Sequence, residues 1–426
     1  MVWLYLLLLI FEGALRKWIL PGFATPLLVV RDPVAVWLLY YGIKHGMLRA
    51  NYYMAAMLTV CTIAIITTTL WGHGNIIVAL YGARILILHF PLIFIIGRIL
   101  NRDDVIKIAK FLAWLSIPMT LLLILQFFSP QTAFVNRGVG GDAAGGGFQG
   151  ALGYYRAPTT FSFTNGTTLF YGFVACFILY FWFSPKQYIS RQLLIASTIA
   201  ICFAVPFSIS RGLFFSVLVT LAFLLFASLR KGKIFTRVVI LVSVLGIILA
   251  GLSLSGLFQT ATDVFTSRFT DANKTEGGLA SVLGDRYLGG MISAVTSSAD
   301  LPFWGYGLGA STNVGSNLLL GKTIAAISEQ EWQRLIQEMG IVLGIGVIVI
   351  RLAVSFKIAR ACYQKLETGD VLPWILLSFC LLNIPQGLWA QSTALGFSVV
   401  IGGIIIASMR YQNTGAPVPP VQSLHE

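Results

Sequence analysis

The sequence predicts an all-α protein that crosses a lipid bilayer many times. Of its 426 residues, 57% are hydrophobic and only 11% are charged, about half the charged fraction of a typical soluble domain. Apolar runs such as 235–258 recur along the chain, and each is long enough to cross the hydrocarbon core as a helix. A soluble enzyme is therefore excluded. A transmembrane barrel is also excluded, because its strands are short and alternate in polarity.

Glycines, prolines and charges divide the chain into about 12 predicted spans. They form a single transmembrane domain, residues 1–410, and residues 411–426 are predicted to be a flexible cytoplasmic tail. Two connections, 129–165 and 259–330, are much longer than the others, and loops of such length are usually functional or disordered. The predicted spans are 2–20, 24–43, 53–70, 76–97, 105–128, 166–184, 189–208, 212–229, 235–258, 331–355, 371–388 and 391–409.

Lysines and arginines concentrate in every second connection, which predicts the orientation of the chain because cytoplasmic loops collect these residues. Both long loops then lie on the extracytoplasmic side. The first connection breaks the pattern with Arg16, Lys17 and Arg31, which suggests a first segment that is re-entrant or shortened.

Two functions can be excluded from the distribution of charges and cysteines. The net charge is +13, but the basic residues form no stripe with interleaved aromatics, so nucleic-acid binding is not expected. The five cysteines stand singly without histidines nearby, so neither a disulfide framework nor a metal site is predicted.

Arginines outside the predicted cytoplasmic loops are the first candidate functional residues. Arg84 falls in the middle of a predicted span, where a charge is costly unless it faces a polar interior; alternatively it snorkels or pairs with a buried group. Arg211 lies in a tight turn on the predicted outer side. Its planar guanidinium suits phosphate oxygens, and the alternative role is interfacial anchoring.

Both long loops carry a further arginine. Arg156 opens a hydroxyl-rich stretch that leads into a helix start, and a helix start beside an arginine favours anion binding. Arg286 precedes the turn Pro302–Gly309, whose alternating glycines mark a close backbone approach. We therefore expect both residues to bind a substrate.

The polar stretch 329–340 is predicted to be the outer entrance of a span. Glu331, Arg334 and Glu338 fall on one helical face by their spacing, and a carboxylate as deep as Glu338 should face a cavity. The alternative is an ion pair that only holds helices together. Glu329 adds another carboxylate at the start of this stretch.

The order of these motifs resembles the O-antigen ligase and polymerase family. The motifs are Arg156 with its Thr/Phe/Asn-Gly stretch, Ser210-Arg211-Gly212, Arg286 before Pro-Phe-Trp-Gly-Tyr-Gly-Leu-Gly, and Glu338-Met339-Gly340. The N-terminal Phe11–Trp18 is similar to the start of exopolysaccharide polymerases. Ligases of the family share a His-Asn pair where this chain has Glu329 and Gln330, and this departure favours a polymerase.

The resemblance implies a GT-C-related fold and a glycosyltransferase that needs neither metal nor cofactor. Its substrate would be a polyprenyl-pyrophosphate-linked oligosaccharide on the outer face of a bacterial inner membrane, with a flippase and a chain-length regulator as partners. Arg211, Arg156 and Arg286 would hold the diphosphate, Glu329 or Glu331 would deprotonate the acceptor with inversion, and Glu338 would orient Arg334. Aromatic faces for sugar rings would come from Trp304, Tyr306 and Trp332.

Two other functions are also compatible with these sequence motifs. A ligase would transfer finished glycan to a lipid or protein acceptor. A transporter of lipid-linked sugars would also place Arg84 and Glu338 in a polar cavity, but the matching broken helices of inverted repeats are not seen in the sequence.

Overall fold

The chain is a mostly helical membrane protein. The computed structural model describes residues 1–48, 51–184, 186–229, 255–276, 301–320 and 330–410, with a few single positions between them. The described α-helices are α1 (Val2–Ala14), α2 (Asp32–Lys44), α3 (Tyr52–Leu70), α4 (Ile76–Arg84), α5 (Leu92–Ile99), α6 (Arg102–Phe128), α7 (Thr164–Phe183), α8 (Arg191–Phe207), α9 (Arg211–Leu229), α10 (Gly256–Glu276), α11 (Asn313–Leu320), α12 (Glu331–Glu367), α13 (Leu372–Asn383) and α14 (Ser392–Ser408). One short antiparallel hairpin in the described part joins β1 (Phe148–Gln149) to β2 (Tyr155–Arg156).

Seven helical stretches in the described part of the chain are long and apolar enough to cross a membrane. They are Pro26–Lys44, Tyr52–Leu70, Ile76–Ile99, Arg102–Phe128, Thr164–Phe183, Arg211–Leu229 and Glu331–Glu367. Helices α8, α13 and α14 are shorter but also apolar. Most of the predicted span 235–258 and the predicted tail 411–426 lie outside the described residues.

Several helices begin where an asparagine or serine caps the first turn. Asn51, Asn75 and Ser190 each accept hydrogen bonds from backbone N–H groups of the first turn that have no partner within the helix. At α6, Asn101 and Asp104 form a reciprocal capping box. Local sequence chemistry thus sets these helix starts.

The start of the predicted loop 259–330 is helical. Helix α10 buries Phe258, Ala261 and Val264, and Phe258 packs edge-on against Phe203 of α8 with ring centroids 5.6 Å apart. Its mean composition is polar, which is why the sequence predicts a loop here. An apolar stripe on one face is sufficient to attach the helix to the bundle.

Helix α7 lies at the centre of the bundle and is buried along most of its length. Phe173 stacks on Phe379 of α13 with centroids 5.4 Å apart. Elsewhere α5 and α14 approach closely through glycines, since a Cβ built on Gly97 would lie 2.6 Å from Ile406 Cγ2.

The two ends of the bundle differ in chemistry. At one end, called the basic end here, Arg102 pairs with Asp370 and Arg410 donates to the Leu100 carbonyl at 3.2 Å. At the opposite end, called the loop end, the His73 N–H donates to the Tyr306 carbonyl at 3.1 Å. These contacts agree with the predicted sorting of connections into two sides, and which side faces the cytoplasm stays a prediction.

Candidate functional site

Three helices begin side by side at the loop end. The Asn165 side-chain amide donates to Gln391 Oε1 at 3.2 Å, which joins the start of α7 to the start of α14. The hydroxyls of Thr168 and Ser210 are 2.8 Å apart and join α7 to the start of α9. Because unsatisfied N–H groups give a helix start a partial positive charge, this convergence favours an anion.

Arg211 is the first residue of α9 and follows a strained turn. The hydroxyl of Ser210 accepts a hydrogen bond from Leu213 N at 3.2 Å, so it caps the helix. Ile209 has φ +49° and is 1% exposed. A β-branched residue is an outlier in this left-handed region. Such strain persists only where the surrounding structure holds it, and it clusters at functional sites.

Arg156 lies on β2, in the hairpin that leans on this turn. Phe148 pairs with Arg156 in the register of the hairpin. A Cβ built on Gly150, in the hairpin connection, would lie 2.7 Å from Ile209 Cδ1. The structure therefore brings the elements that carry Arg156 and Arg211 into contact, although they are far apart in sequence.

The segment that follows Arg156 is strained too and is held from two sides. Thr159 has φ +50°. Its N–H donates to Gln126 Oε1 at 2.8 Å, and its carbonyl accepts from Lys17 Nζ at 2.5 Å. Two β-branched residues in the left-handed region thus lie within three residues of Arg156 and Arg211, two of the three predicted diphosphate arginines.

The basic residues of the first connection are buried inside the protein, where Glu12 pairs with two of them. Arg16 and Arg31 both approach Glu12, at 3.4 and 3.3 Å. Arg16 also donates to Ser162 Oγ at 2.9 Å, and Arg31 donates to the Ser392 carbonyl. These charges break the positive-inside pattern because they are structural and are not part of an exposed loop.

Arg84 is paired with an acid inside the helical bundle. Its Nη1 lies 2.6 Å from Asp32 Oδ2, and its guanidinium carbon lies 4.0 Å from the centre of the Tyr81 ring. Asp32 also contacts His89 Nε2 at 3.0 Å, and the other ring nitrogen of His89 lies 3.1 Å from the Tyr5 hydroxyl. Of the two interpretations of Arg84, pairing with a buried group is the one observed.

The polar entrance of α12 forms a closed network of four buried charges. Arg334 binds Glu331 through Nε and Nη2, both at 2.9 Å, and Glu338 through Nη1 at 2.7 Å. Arg351 completes the network by donating to Glu331 Oε1 at 2.6 Å. The charges sum to zero, and all four residues are at most 4% exposed.

Neighbouring backbone groups saturate this network. The Trp389 N–H donates to Glu331 Oε2 at 3.1 Å, and the Ser311 N–H donates to Glu338 Oε1 at 2.8 Å. Glu331 therefore accepts four hydrogen bonds, about the capacity of an ionised carboxylate. In this arrangement Glu331 has no lone pair left to accept a hydrogen bond from an acceptor hydroxyl. The contact between Glu338 and Arg334 is the one that their helical spacing predicts.

The glycine-rich turn 302–309 packs against a break in α12. Gly340 has φ +74° inside the helix, and the Gly307 N–H donates to the Glu338 carbonyl at 2.9 Å. A Cβ on Gly340 would collide with the Phe303 carbonyl. The close backbone approach predicted from the alternating glycines is therefore observed.

Aromatic side chains at the loop end divide into exposed and buried ones. Tyr306 is exposed, and Trp304 stacks on Trp71 with centroids 5.6 Å apart. Trp332 is buried, and its indole N–H donates to the Pro385 carbonyl at 2.8 Å. Trp332 therefore serves packing, whereas Trp71, Phe303 and Tyr306 near the turn 302–309 are exposed.

Two predicted site residues, Arg286 and Glu329, lie outside the described residues. Within the described residues, no group of three or more His, Cys, Asp or Glu side chains could hold a metal ion.

The sequence reasoning missed Asp32, His89 and Arg351. Arg351 carried a usable signal, since it stands in the middle of an apolar span as Arg84 does. The partners of these residues could not be read from the sequence. Asp32 lies on a different element from Arg84 and His89, and Arg351 reaches Glu331 on the same helix because α12 breaks at Gly340 between them.

Comparisons of this chain with known proteins found no match. No family model, no curated protein and no solved structure matches it.

Proposed function

We propose that this protein is a glycosyltransferase that polymerises polyprenyl-pyrophosphate-linked oligosaccharide repeat units. The proposal combines its membrane-embedded helices with the motif resemblance to the O-antigen ligase and polymerase family. It includes a GT-C-like arrangement of about 12 helices in a bacterial inner membrane, with the loop end on the periplasmic or exterior side.

One observation carries the proposal. Two strained segments, at Ile209 and Thr159, adjoin Arg211 and Arg156, and their elements meet where α7, α9 and α14 begin. Positive helix ends and guanidinium groups at one place are suited to a diphosphate. Strain that is maintained beside both arginines supports a fixed binding geometry.

The chemistry is a single displacement at the anomeric carbon of the donor. The acceptor hydroxyl forms the new glycosidic bond, the bond to the diphosphate oxygen breaks, and the diphosphate leaves with the bonding electrons. Arg211 and Arg156, with Arg286, stabilise the charge that develops on this leaving group. Attack from the opposite face inverts the configuration, and no metal is required.

The proton of the acceptor hydroxyl needs a base. All hydrogen-bond acceptor positions of Glu331 are occupied within the α12 network. We therefore assign general-base catalysis to Glu329, two residues before that helix in the sequence. Arg334 and Glu338 shape the entrance. Arg84 is neutralised by Asp32 and has no part in holding the diphosphate. Tyr306 is exposed at the same end and offers a face for a sugar ring, whereas Trp304 is half-buried against Trp71.

The test compares two arginines that each occupy the first position of a helix. Arg211→Ala should abolish polymer formation, and Arg211→Lys should restore it only in part because a point charge does not reproduce the guanidinium fork. Arg191→Ala is the matched control, since Arg191 opens α8 and is exposed. Polymer length is measured on gels after complementation of a deletion strain, with protein amount measured in the membrane fraction.

The same assay separates the alternatives. Normal polymer from the Arg211→Ala variant would refute the diphosphate site. With purified protein and one lipid-linked donor, a ladder of lengthening glycans supports a polymerase. Transfer of a finished glycan to a second acceptor would instead identify a ligase. A transporter would be identified if no glycan is transferred and the lipid-linked sugar moves across the membrane of vesicles that contain the protein.

A further inference from the structure

An apolar cavity of about 250 Å³ lies near the basic end, on the side of the bundle formed by α2 and α3. Its walls include Leu39 of α2, Met54 and Leu58 of α3, and Leu86 of the π-helical turn Ile85–His89. It is an open pocket on the outside of the bundle, since Ala55 and Leu58 are exposed, and its volume exceeds the ~150 Å³ that holds benzene in an apolar protein interior. This cavity therefore suits a hydrocarbon chain.

The helices that form the cavity also carry polar and positive residues. Asn51, the one polar side chain among the described residues that line the cavity, caps the start of α3 by accepting from Tyr53 N at 3.0 Å. Lys44 is exposed at the end of α2. Lys357 of α12 is exposed as well, and its Nζ lies 5.5 Å from the centre of the Tyr53 ring. A helix start and two lysines together favour an anion.

We infer that the cavity binds one acyl chain of an anionic glycerophospholipid. The chain lies against Leu39, Leu58 and Leu86, and the phosphate lies at the mouth between Lys44, Lys357 and the start of α3. Charge complementarity selects an anionic headgroup over a zwitterionic one. This assignment does not rest on the proposed glycosyltransferase activity.

A lipid bound in this cavity also contacts the π-helical turn Ile85–His89 beside the Asp32 and Arg84 ion pair. Leu86 and Ile87 line the cavity, and both belong to the same π-helical turn as His89, whose ring contacts Asp32 at 3.0 Å. A bound chain therefore supports the turn that holds the Asp32 and Arg84 ion pair. Single π-helical turns are frequent at functional positions.

The first arm of the test blocks the cavity. Dissociation constants of dioleoylphosphatidylglycerol and dioleoylphosphatidylcholine are measured by native mass spectrometry of the full-length protein in detergent. Ala55 lines the cavity, and Ala56 is an exposed neighbour that does not. Ala55→Phe should displace about two methylenes of the chain and weaken phosphatidylglycerol binding about tenfold. Ala56→Phe should leave binding as in the wild type.

The second arm removes the charges at the mouth. Lys44→Gln and Lys357→Gln should each lower the preference for phosphatidylglycerol over phosphatidylcholine about fivefold, equivalent to about 1 kcal/mol per lysine. Lys110→Gln, an exposed lysine on α6, is the control. Folding of every variant is checked by the protection of its buried cysteines from a thiol-reactive dye.

Three results would overturn the inference. Equal lipid affinity in Ala55→Phe and Ala56→Phe would show that the cavity does not hold the chain. An unchanged lipid preference in both lysine variants would remove the anionic headgroup. Displacement of phosphatidylglycerol by an equimolar amount of a polyprenyl phosphate would assign the cavity to the carrier tail instead.

Discussion

Replacing Glu331 by Gln distinguishes a structural hub from a catalytic base. In the structure Glu331 accepts from Arg334 twice, from Arg351 at 2.6 Å and from the Trp389 N–H at 3.1 Å. A glutamine in its place is neutral and directs an amide NH₂ at one of the arginine donors. The network would then hold a buried excess of one positive charge.

The expected loss of stability follows from this one unpaired positive charge in the buried network. Breaking a buried ion pair by removing one partner costs about 3 to 5 kcal/mol, and the surroundings of Glu331 are buried enough for this range to apply. Glu367→Gln is the matched control, because Glu367 is the last residue of the same helix and is exposed. Its replacement should change stability by less than about 0.5 kcal/mol.

The chain contains its own reporters of unfolding. All five cysteines are free and buried, so a thiol-reactive fluorophore labels them only when the bundle opens. Titration with SDS in mixed micelles then gives the free energy of unfolding for each variant.

The structural role of Glu331 is refuted if Glu331→Gln has the same free energy of unfolding as the wild type and Glu367→Gln. If that variant is also inactive, Glu331 acts as the catalytic base and the hub role assigned to it is wrong. If the variant is destabilised and keeps activity in proportion to its folded fraction, the hub role is confirmed.

Two further changes test other parts of the fold by the same thiol-labelling titration. Asp32→Asn removes the partner of Arg84. A double-mutant cycle with Arg84→Met should give a coupling free energy of about 1 to 3 kcal/mol, because the side chains of Asp32 and Arg84 are only 19% and 12% exposed. Strictly additive effects of the two substitutions would contradict the ion pair. Gly340→Ala should cost about 2 to 5 kcal/mol, since alanine is strained at φ +74° and its Cβ meets the Phe303 carbonyl. Gly346→Ala, in a regular and open part of the same helix, should be neutral or stabilising by up to about 1 kcal/mol, and equal behaviour of the two glycine variants would refute the role of the break.

Part of the candidate site followed from local sequence. The turn before Arg211 and the helix start after Arg156 were predicted from short stretches of residues, and the helical spacing of Glu331, Arg334 and Glu338 predicted their contact. Such features depend on residues at most a few positions apart. Their geometry is therefore determined by helix periodicity and capping.

Other features depended on contacts that no local pattern contains. Most of the helix Gly256–Glu276 falls in the predicted loop 259–330, because its average composition is polar. Only packing on α8 and α9 buries its apolar face. The break at Gly340 exists because the turn 302–309 occupies the space beside it. A glycine within an apolar run gives no indication of such a neighbour.

The sequence by itself determined that this chain is a helical membrane protein with basic residues concentrated in every second connection, because hydrophobic length and charge are properties of contiguous residues. The tertiary structure decided which charges meet. Arg84 pairs with Asp32 from 52 positions away, and Arg351 pairs with Glu331 from 20 positions away. A buried charge must find a partner, but the partner is chosen by how the helices pack.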